Sequence, residues 1–396
     1  MEQIKHTYVT VNGLKLHVAE IGSDSSPAVI FLHGFPEIWY TWRHQMIDVA
    51  NAGFRVIAPD YRGYGLSDIP AQPEKASFVD LVNDTASILE SLVISKVFVI
   101  GKDFGAMVAY TFALFHPEKV TGIITLGVPF MRPGFHKTHL ALPEGFYIRR
   151  WQEPGRAEAD FGRFDAKSVV RNIYILFSKS EIPMANENQE IMDLVDPTTP
   201  LPSWFTEDDL AVYGELYQKS GFQTPLKVPY RSFGETIGSP QQDPNDLKIK
   251  APALLIMGEE DYVFKFPGME EYVRSGEVKK YVPNLEIVYL PDGCHFVHEQ
   301  FPDQSVAGRG RKRGPISSGK MDFVSFPLAF LLFQSSLLSL PANNRKDTSP
   351  PQQVVSPSTR RLPSPPQVAA AASHRRSYRV AFACFFLFAA CFATAT

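Results

Sequence analysis

The chain has 396 residues, 44% of them hydrophobic and 20% charged, with a formal net charge of −3. That is enough for one large α/β domain with an insertion, or for two ordinary domains. The small net charge hides an asymmetry: twelve basic and two acidic residues follow Gln304, against 27 basic and 40 acidic up to it, and an acidic body gives no ground for nucleic-acid binding. From the N-terminus, residues 7–11 and 14–21 read as two strands around Asn12-Gly13, a strong hairpin signal. Residues 28–32 are a continuous apolar run, the pattern of a buried strand. Residues 39–52 read as a helix and 55–58 as the next strand. Helical spacing follows over 77–92, with Ser77 as N-cap and Asp80 at the third helical position. A buried strand at 96–101, a helix at 105–115 and a strand at 120–126 complete a βαβα rhythm, which predicts a mostly parallel, doubly wound α/β sheet.

The rhythm stops after Pro129. Residues 131–246 are rich in aromatic residues, proline and charge, show no strong strand, and carry helical spacing at 167–177 and 206–219. Strand patterns return at 253–257 and 285–290. The economical reading is a core in two parts, 1–130 and 247–304, with 131–246 as a helical cap over the carboxyl ends of the strands, where open α/β sheets bind ligands. Residues 305–396 form a basic, Pro/Ser-rich tail expected to be mostly disordered, with 323–340 and 380–396 as the stretches that could turn helical. The last stretch follows Arg375, Arg376 and Arg379 in the manner of a tail anchor but is slightly short for a membrane span, so membrane contact by the tail is the minority expectation. Of three cysteines only Cys294 lies in the body, which excludes a disulfide framework there and fits a reducing, cytoplasmic compartment. The N-terminus lacks the apolar core of a signal peptide.

The strand at 96–101 runs into Gly101-Lys102-Asp103-Phe104-Gly105, and a helix begins at once. This is a nucleophile elbow with Asp where serine hydrolases carry Ser. A strand turning directly into a helix strains the apex residue, so its neighbours must be small. Alone, such an Asp is as well read as a solvated turn residue. The loop His33-Gly34-Phe35-Pro36 follows the earlier buried strand, and in such a fold it supplies one oxyanion-hole N–H while the residue after the nucleophile supplies the other; Phe35 and Phe104 are the candidates. Acid and base should follow at later strand ends. Asp261, with Glu259 and Glu260 as rivals, follows 253–257; His295, with His298 as rival, follows 285–290. Each residue alone has a structural reading, but the order nucleophile, acid, base is hard to explain otherwise.

With these motifs in place, the sequence resembles the soluble epoxide hydrolases of plants, within the α/β-hydrolase superfamily. The match is dense from His33 to Met46 and from Ala58 to Ser67, and it covers essentially residues 1–304. The resemblance implies a pair of cap tyrosines that hydrogen-bond the epoxide oxygen. Tyr147, before Arg149-Arg150-Trp151, and Tyr230, in Pro229-Tyr230-Arg231, match that pair by context. It further implies a small-molecule epoxide, most readily a fatty-acid or other lipophilic one, as partner, attack by Asp103, water activation by His295 oriented by Asp261, and neither metal nor cofactor. The oligomeric state stays open between monomer and homodimer. Haloalkane dehalogenases share the Asp nucleophile and stand as an alternative, as do a receptor on this scaffold and an inactive splice variant. Three departures stand out: Lys102 replaces the family's His before the nucleophile, Phe104 replaces its Trp, and the resemblance ends at Gln304.

Overall fold

The computed structural model describes residues 3–131, 142–232 and 247–302. The expectations for the tail, and the cap boundaries near 131 and 246, lie in or beside stretches outside these residues. One eight-stranded sheet organises the described chain: β1 (Lys5–Val11), β2 (Leu14–Ile21), β3 (Ala28–Leu32), β4 (Arg55–Pro59), β5 (Val97–Lys102), β6 (Val120–Leu126), β7 (Ala253–Gly258) and β8 (Leu285–Leu290), in spatial order β1-β2-β4-β3-β5-β6-β7-β8. The first hairpin turns at Asn12 (φ 50°) and Gly13 (φ 84°), the left-handed pair that a two-residue hairpin requires. β1 and β2 run antiparallel and every pairing from β4 to β8 is parallel, so the α/β reading holds.

Strands β3, β4, β5 and β7 are buried along their whole length because helices cover both faces, which is why they read as unbroken apolar runs. The core helices are α1 (Arg43–Asn51), α2 (Phe78–Ser91) and α3 (Phe104–Phe115). Ser77 caps α2 by accepting the Asp80 N–H while the Asp80 carboxylate takes the Ser77 N–H, a reciprocal closure legible in the sequence. The helix expected over 39–52 begins instead with a tight 3₁₀ turn, Trp39–Trp42, before α1. The Asp60 carboxylate takes the Trp39 N–H at 2.8 Å and holds that turn to the end of β4.

Between β6 and β7 the described chain is helical: α4 (Tyr147–Gln152), α5 (Arg156–Phe161), α6 (Ala166–Phe177), α7 (Glu207–Ser220) and α8 (Gln223–Lys227). After the sheet resumes come α9 (Met269–Arg274) and α10 (Val297–Gln300). Ion pairs fasten the helical segment to the core, with Arg43 at the start of α1 reaching Asp209 in α7 at 2.9 Å. Among the described residues no helix is long and apolar enough to cross a membrane.

Candidate active site

The site forms where β3, β5, β7 and β8 end. Asp103 sits at the apex between β5 and α3 with φ 55° and ψ −130°, backbone space that a non-glycine residue occupies at a cost of order 1–3 kcal/mol. Close approach dictates its neighbours. A Cβ on Gly101 would lie 2.3 Å from the Gly105 carbonyl oxygen, and one on Gly105 would lie 2.3 Å from that of Leu32. A Cβ on Gly34 would fall 2.5 Å from the Asp103 Cβ itself. These glycines let three backbone segments converge on one carboxylate.

The Asp103 side chain is 18% exposed, so a ligand can reach it in an otherwise closed site. Phe35 donates its N–H to Asp103 Oδ1 at 3.2 Å, and the Phe104 N–H also bonds the carboxylate. His295 Nε2 lies 3.3 Å from Asp103 Oδ2, while its Nδ1 meets Asp261 Oδ1 and Oδ2 at 2.9 and 3.0 Å. Asp261 is buried and accepts the Val263 N–H at 2.9 Å, which fixes its orientation toward the imidazole. Burial alone raises the Asp103 pKa, but the His295 hydrogen bond and charge, helped by Lys102, hold it below the ordinary aspartate value. Burial lowers the His295 pKa, yet Asp261 and Asp103 together outweigh that and raise it. The rivals lie elsewhere. Glu259 and Glu260 are exposed, and Glu259 faces Arg274 at 3.5 Å.

His33 holds the loop and stands apart from the triad. Its Nδ1 bonds the Gly34 carbonyl at 2.9 Å and its Nε2 accepts the Tyr61 N–H at 3.3 Å, which defines a neutral ring protonated on Nδ1. Burial pushes its pKa down to about 4. Tyr147 opens α4, and Tyr230 opens a 3₁₀ turn, Tyr230–Ser232. Both are buried, with ring centroids 6.2 Å apart. The arginines beside them hold the helical segment together: Arg150 pairs with Glu144 at 2.9 Å and Glu190 at 3.1 Å, and Arg231 with Glu158 at 2.6 Å. Burial raises the pKa of both phenols, so each stays protonated and able to donate.

Sequence reasoning missed a buried charged cluster behind the elbow. Lys102 is fully buried, with its ammonium 3.1 Å from Glu37 Oε1 and 4.3 Å from the centre of the Phe296 ring. Glu37 Oε2 accepts the Gly34 N–H at 2.9 Å, so the pair ties the loop after β3 to the end of β5. His298, the rival base, lies in this cluster, 2.6 Å from Thr41 Oγ1 and 3.4 Å from Glu37. Glu299 accepts Thr41, Tyr174 and Tyr213 hydroxyls on one oxygen and Arg43 on the other, binding α10 to α1, α6 and α7. Glu37, His298 and Glu299 lie close enough to hold a cation, but Lys102 and Arg43 already supply positive charge there. Lys102→Met should therefore leave Glu37 buried without its partner and cost roughly 3–5 kcal/mol, read as a lower urea midpoint. Lys102→Met with Glu37→Gln should recover part of that loss.

Comparisons with known proteins identify the family. The family described as alpha/beta hydrolase fold matches residues 27–302. Epoxide hydrolase 2 of Siraitia grosvenorii is 39% identical over 313 residues, covering 76% of this chain and 96% of its own. The structure of potato (Solanum tuberosum) epoxide hydrolase I superposes with a TM-score of 0.68 at 36% identity, over 76% of this chain and 95% of the other. A Vigna radiata epoxide hydrolase gives 0.67 at 35% identity, over 76% and 94%. The chain belongs to the α/β-hydrolase fold family, among the epoxide hydrolases.

Proposed function

We propose that the protein adds water to lipophilic epoxides, fatty-acid epoxides foremost, through an ester formed on Asp103, and that residues 131–246 act as the cap supplying the tyrosines. The carrying observation is the line Asp261–His295–Asp103, with contacts of 2.9 and 3.3 Å, at the strained apex after β5. Asp103 attacks one epoxide carbon, that C–O bond breaks, and the electron pair goes to the oxygen. Tyr147 or Tyr230 gives the oxygen its proton, leaving a phenolate. Esterification removes one of the two anions that raise the His295 pKa, which favours the neutral ring whose Nε2 acts as base on the water. Water attacks the Asp103 carbonyl carbon as His295 takes its proton, and the oxyanion rests against the N–H groups of Phe35 and Phe104. As the tetrahedral species collapses, His295 protonates the leaving alkoxide, and the proton shed by the re-formed Asp103 carboxyl restores the phenolate. The sum is epoxide plus water to vicinal diol.

A single buried cysteine in the described body fits work in a reducing cytoplasm. The test is turnover of an aryl epoxide and of epoxystearate by the purified full chain, beside a chloroalkane of matched size. Diol from the epoxides without halide release is the expected result. Halide release alone would replace this reading with a dehalogenase, and absence of any turnover would favour a receptor or an inactive variant.

A further inference from the structure

A third tyrosine meets one of the pair that the sequence singles out. Tyr262 follows Asp261 directly and is buried at the start of a 3₁₀ turn, Tyr262–Lys265, on the core side of the cleft. The turn fixes it firmly, because the Asp261 carboxylate holds the Val263 N–H at 2.9 Å. Its ring lies 4.7 Å from the His295 ring and 5.1 Å from Phe177. Its hydroxyl lies 3.3 Å from the Tyr147 hydroxyl, and among the described residues that is the partner each phenol has. Two phenols share one contact, so one donates and the other accepts. If Tyr147 donates to Tyr262, its hydrogen is turned away from any ligand. If Tyr262 donates, the Tyr147 hydrogen is free to point into the cleft, and its oxygen is held from behind.

We infer that Tyr262 is a positioning residue for ring opening: its hydroxyl donates to Tyr147, turning the Tyr147 hydrogen toward the epoxide oxygen and stabilising the phenolate left when that proton moves. This rests on the assignment of Tyr147 as a donor to the epoxide. The electrostatics run the same way, since the contact lowers the Tyr147 pKa and raises that of Tyr262. At 3.3 Å the bond is long for O–H···O, so it is weak while Tyr147 is neutral and gains as negative charge collects there. It is therefore stronger in the transition state than in the ground state, the condition for an effect on rate rather than on binding. In the proton-transfer step the Tyr147 hydrogen goes to the epoxide oxygen as the C–O bond breaks, and Tyr262 keeps its own proton throughout.

The test is a cycle of variants of the full chain, read by single-turnover ring opening with enzyme in excess. Tyr262→Phe keeps the ring against His295 and should slow opening by roughly tenfold, the worth of one hydrogen bond, with substrate binding unchanged. Tyr147→Phe with Tyr262→Phe should be no slower than Tyr147→Phe alone, because Tyr262 acts through Tyr147. In a Tyr230→Phe background, where Tyr147 is the remaining donor, the loss from Tyr262→Phe should grow. Should Tyr262→Phe not fold, Tyr262→Met fills much of the space without a hydroxyl and carries the same expectations. A wild-type rate for a folded Tyr262 variant, or an equal loss whether or not Tyr147 is present, overturns the inference while leaving Tyr147 as donor. A wild-type rate for Tyr147→Phe overturns the assignment beneath it, so the two failures are distinguishable.

Discussion

His295→Gln should stop turnover after one chemical event and leave the substrate esterified to Asp103. The two halves of the reaction ask different things of the site. Ring opening needs the Asp103 carboxylate and a proton donor, and the proposed donors are the phenols of Tyr147 and Tyr230. Ester hydrolysis needs a base, and the group 3.3 Å from the Asp103 carboxylate is His295 Nε2. Glutamine keeps a polar side chain there but no basic nitrogen. General-base catalysis contributes typically about 10²–10⁴-fold, so hydrolysis should slow by that range while opening continues. Intact-protein mass spectrometry should then show the gain of one substrate mass, mapped to the peptide holding Asp103. Asp103→Asn should show no such gain, and neither should His298→Gln, whose ring bonds Thr41 and faces Glu37. Direct attack of water on the epoxide, with Asp103 as base, predicts no adduct in any variant. A folded, substrate-binding His295→Gln protein that never gains mass would remove the covalent route.

The pH dependence follows from the same pair. In the free enzyme Asp261 and Asp103 raise the His295 pKa against the opposing effect of burial, so the charged ring persists to higher pH than usual. Hydrolysis needs the neutral ring, and its rate falls as pH drops through the His295 pKa of the ester form. Because the ester has lost the Asp103 charge, that value lies below the one in the free enzyme.

What was legible in the sequence was local or periodic. The hairpin at Asn12-Gly13 and the Ser77/Asp80 closure are written in neighbouring residues, and buried strands announce themselves as unbroken apolar runs. The elbow is legible because steric necessity leaves only glycine at 101 and 105. The short helices α4, α5, α8 and α9, of five or six residues, were not visible. Helices that short are too brief to be stable alone and exist because tertiary contacts hold them. The cluster of Glu37, Lys102, His298 and Glu299 was hidden for the related reason that its members are up to 262 residues apart. Lys102 read as a departure beside the nucleophile, and only the fold shows its ammonium turned to Glu37 and Phe296. Tyr262 had no signal beyond following Asp261, since nothing in that dipeptide says that Tyr147 will meet it.

Removing the hydroxyls of both Tyr147 and Tyr230 should cost more than the product of the two single losses. The epoxide oxygen becomes an alkoxide as its C–O bond breaks, and a free alkoxide is too basic to leave unprotonated. Two buried phenols, with ring centroids 6.2 Å apart and pKa values raised by burial, stay protonated until that charge appears. Tyr147→Phe or Tyr230→Phe leaves one donor, which still supplies the proton, so each should slow ring opening by about 10²-fold, near the lower end for one lost transition-state donor. With both gone neither proposed donor remains, and the loss should exceed about 10⁴-fold, because residues acting as a unit are not additive. Phenylalanine preserves the packing of both rings against Trp151, at 5.2 Å for Tyr147 and 4.9 Å for Tyr230, so binding should change far less than rate. Single-turnover stopped flow separates the two, since a lost transition-state donor lowers the limiting rate while a lost binding contact raises the enzyme concentration at half-saturation. A double variant that opens epoxides at the wild-type limiting rate would take the proton-donor role from both tyrosines and leave the chemistry to Asp103 and solvent.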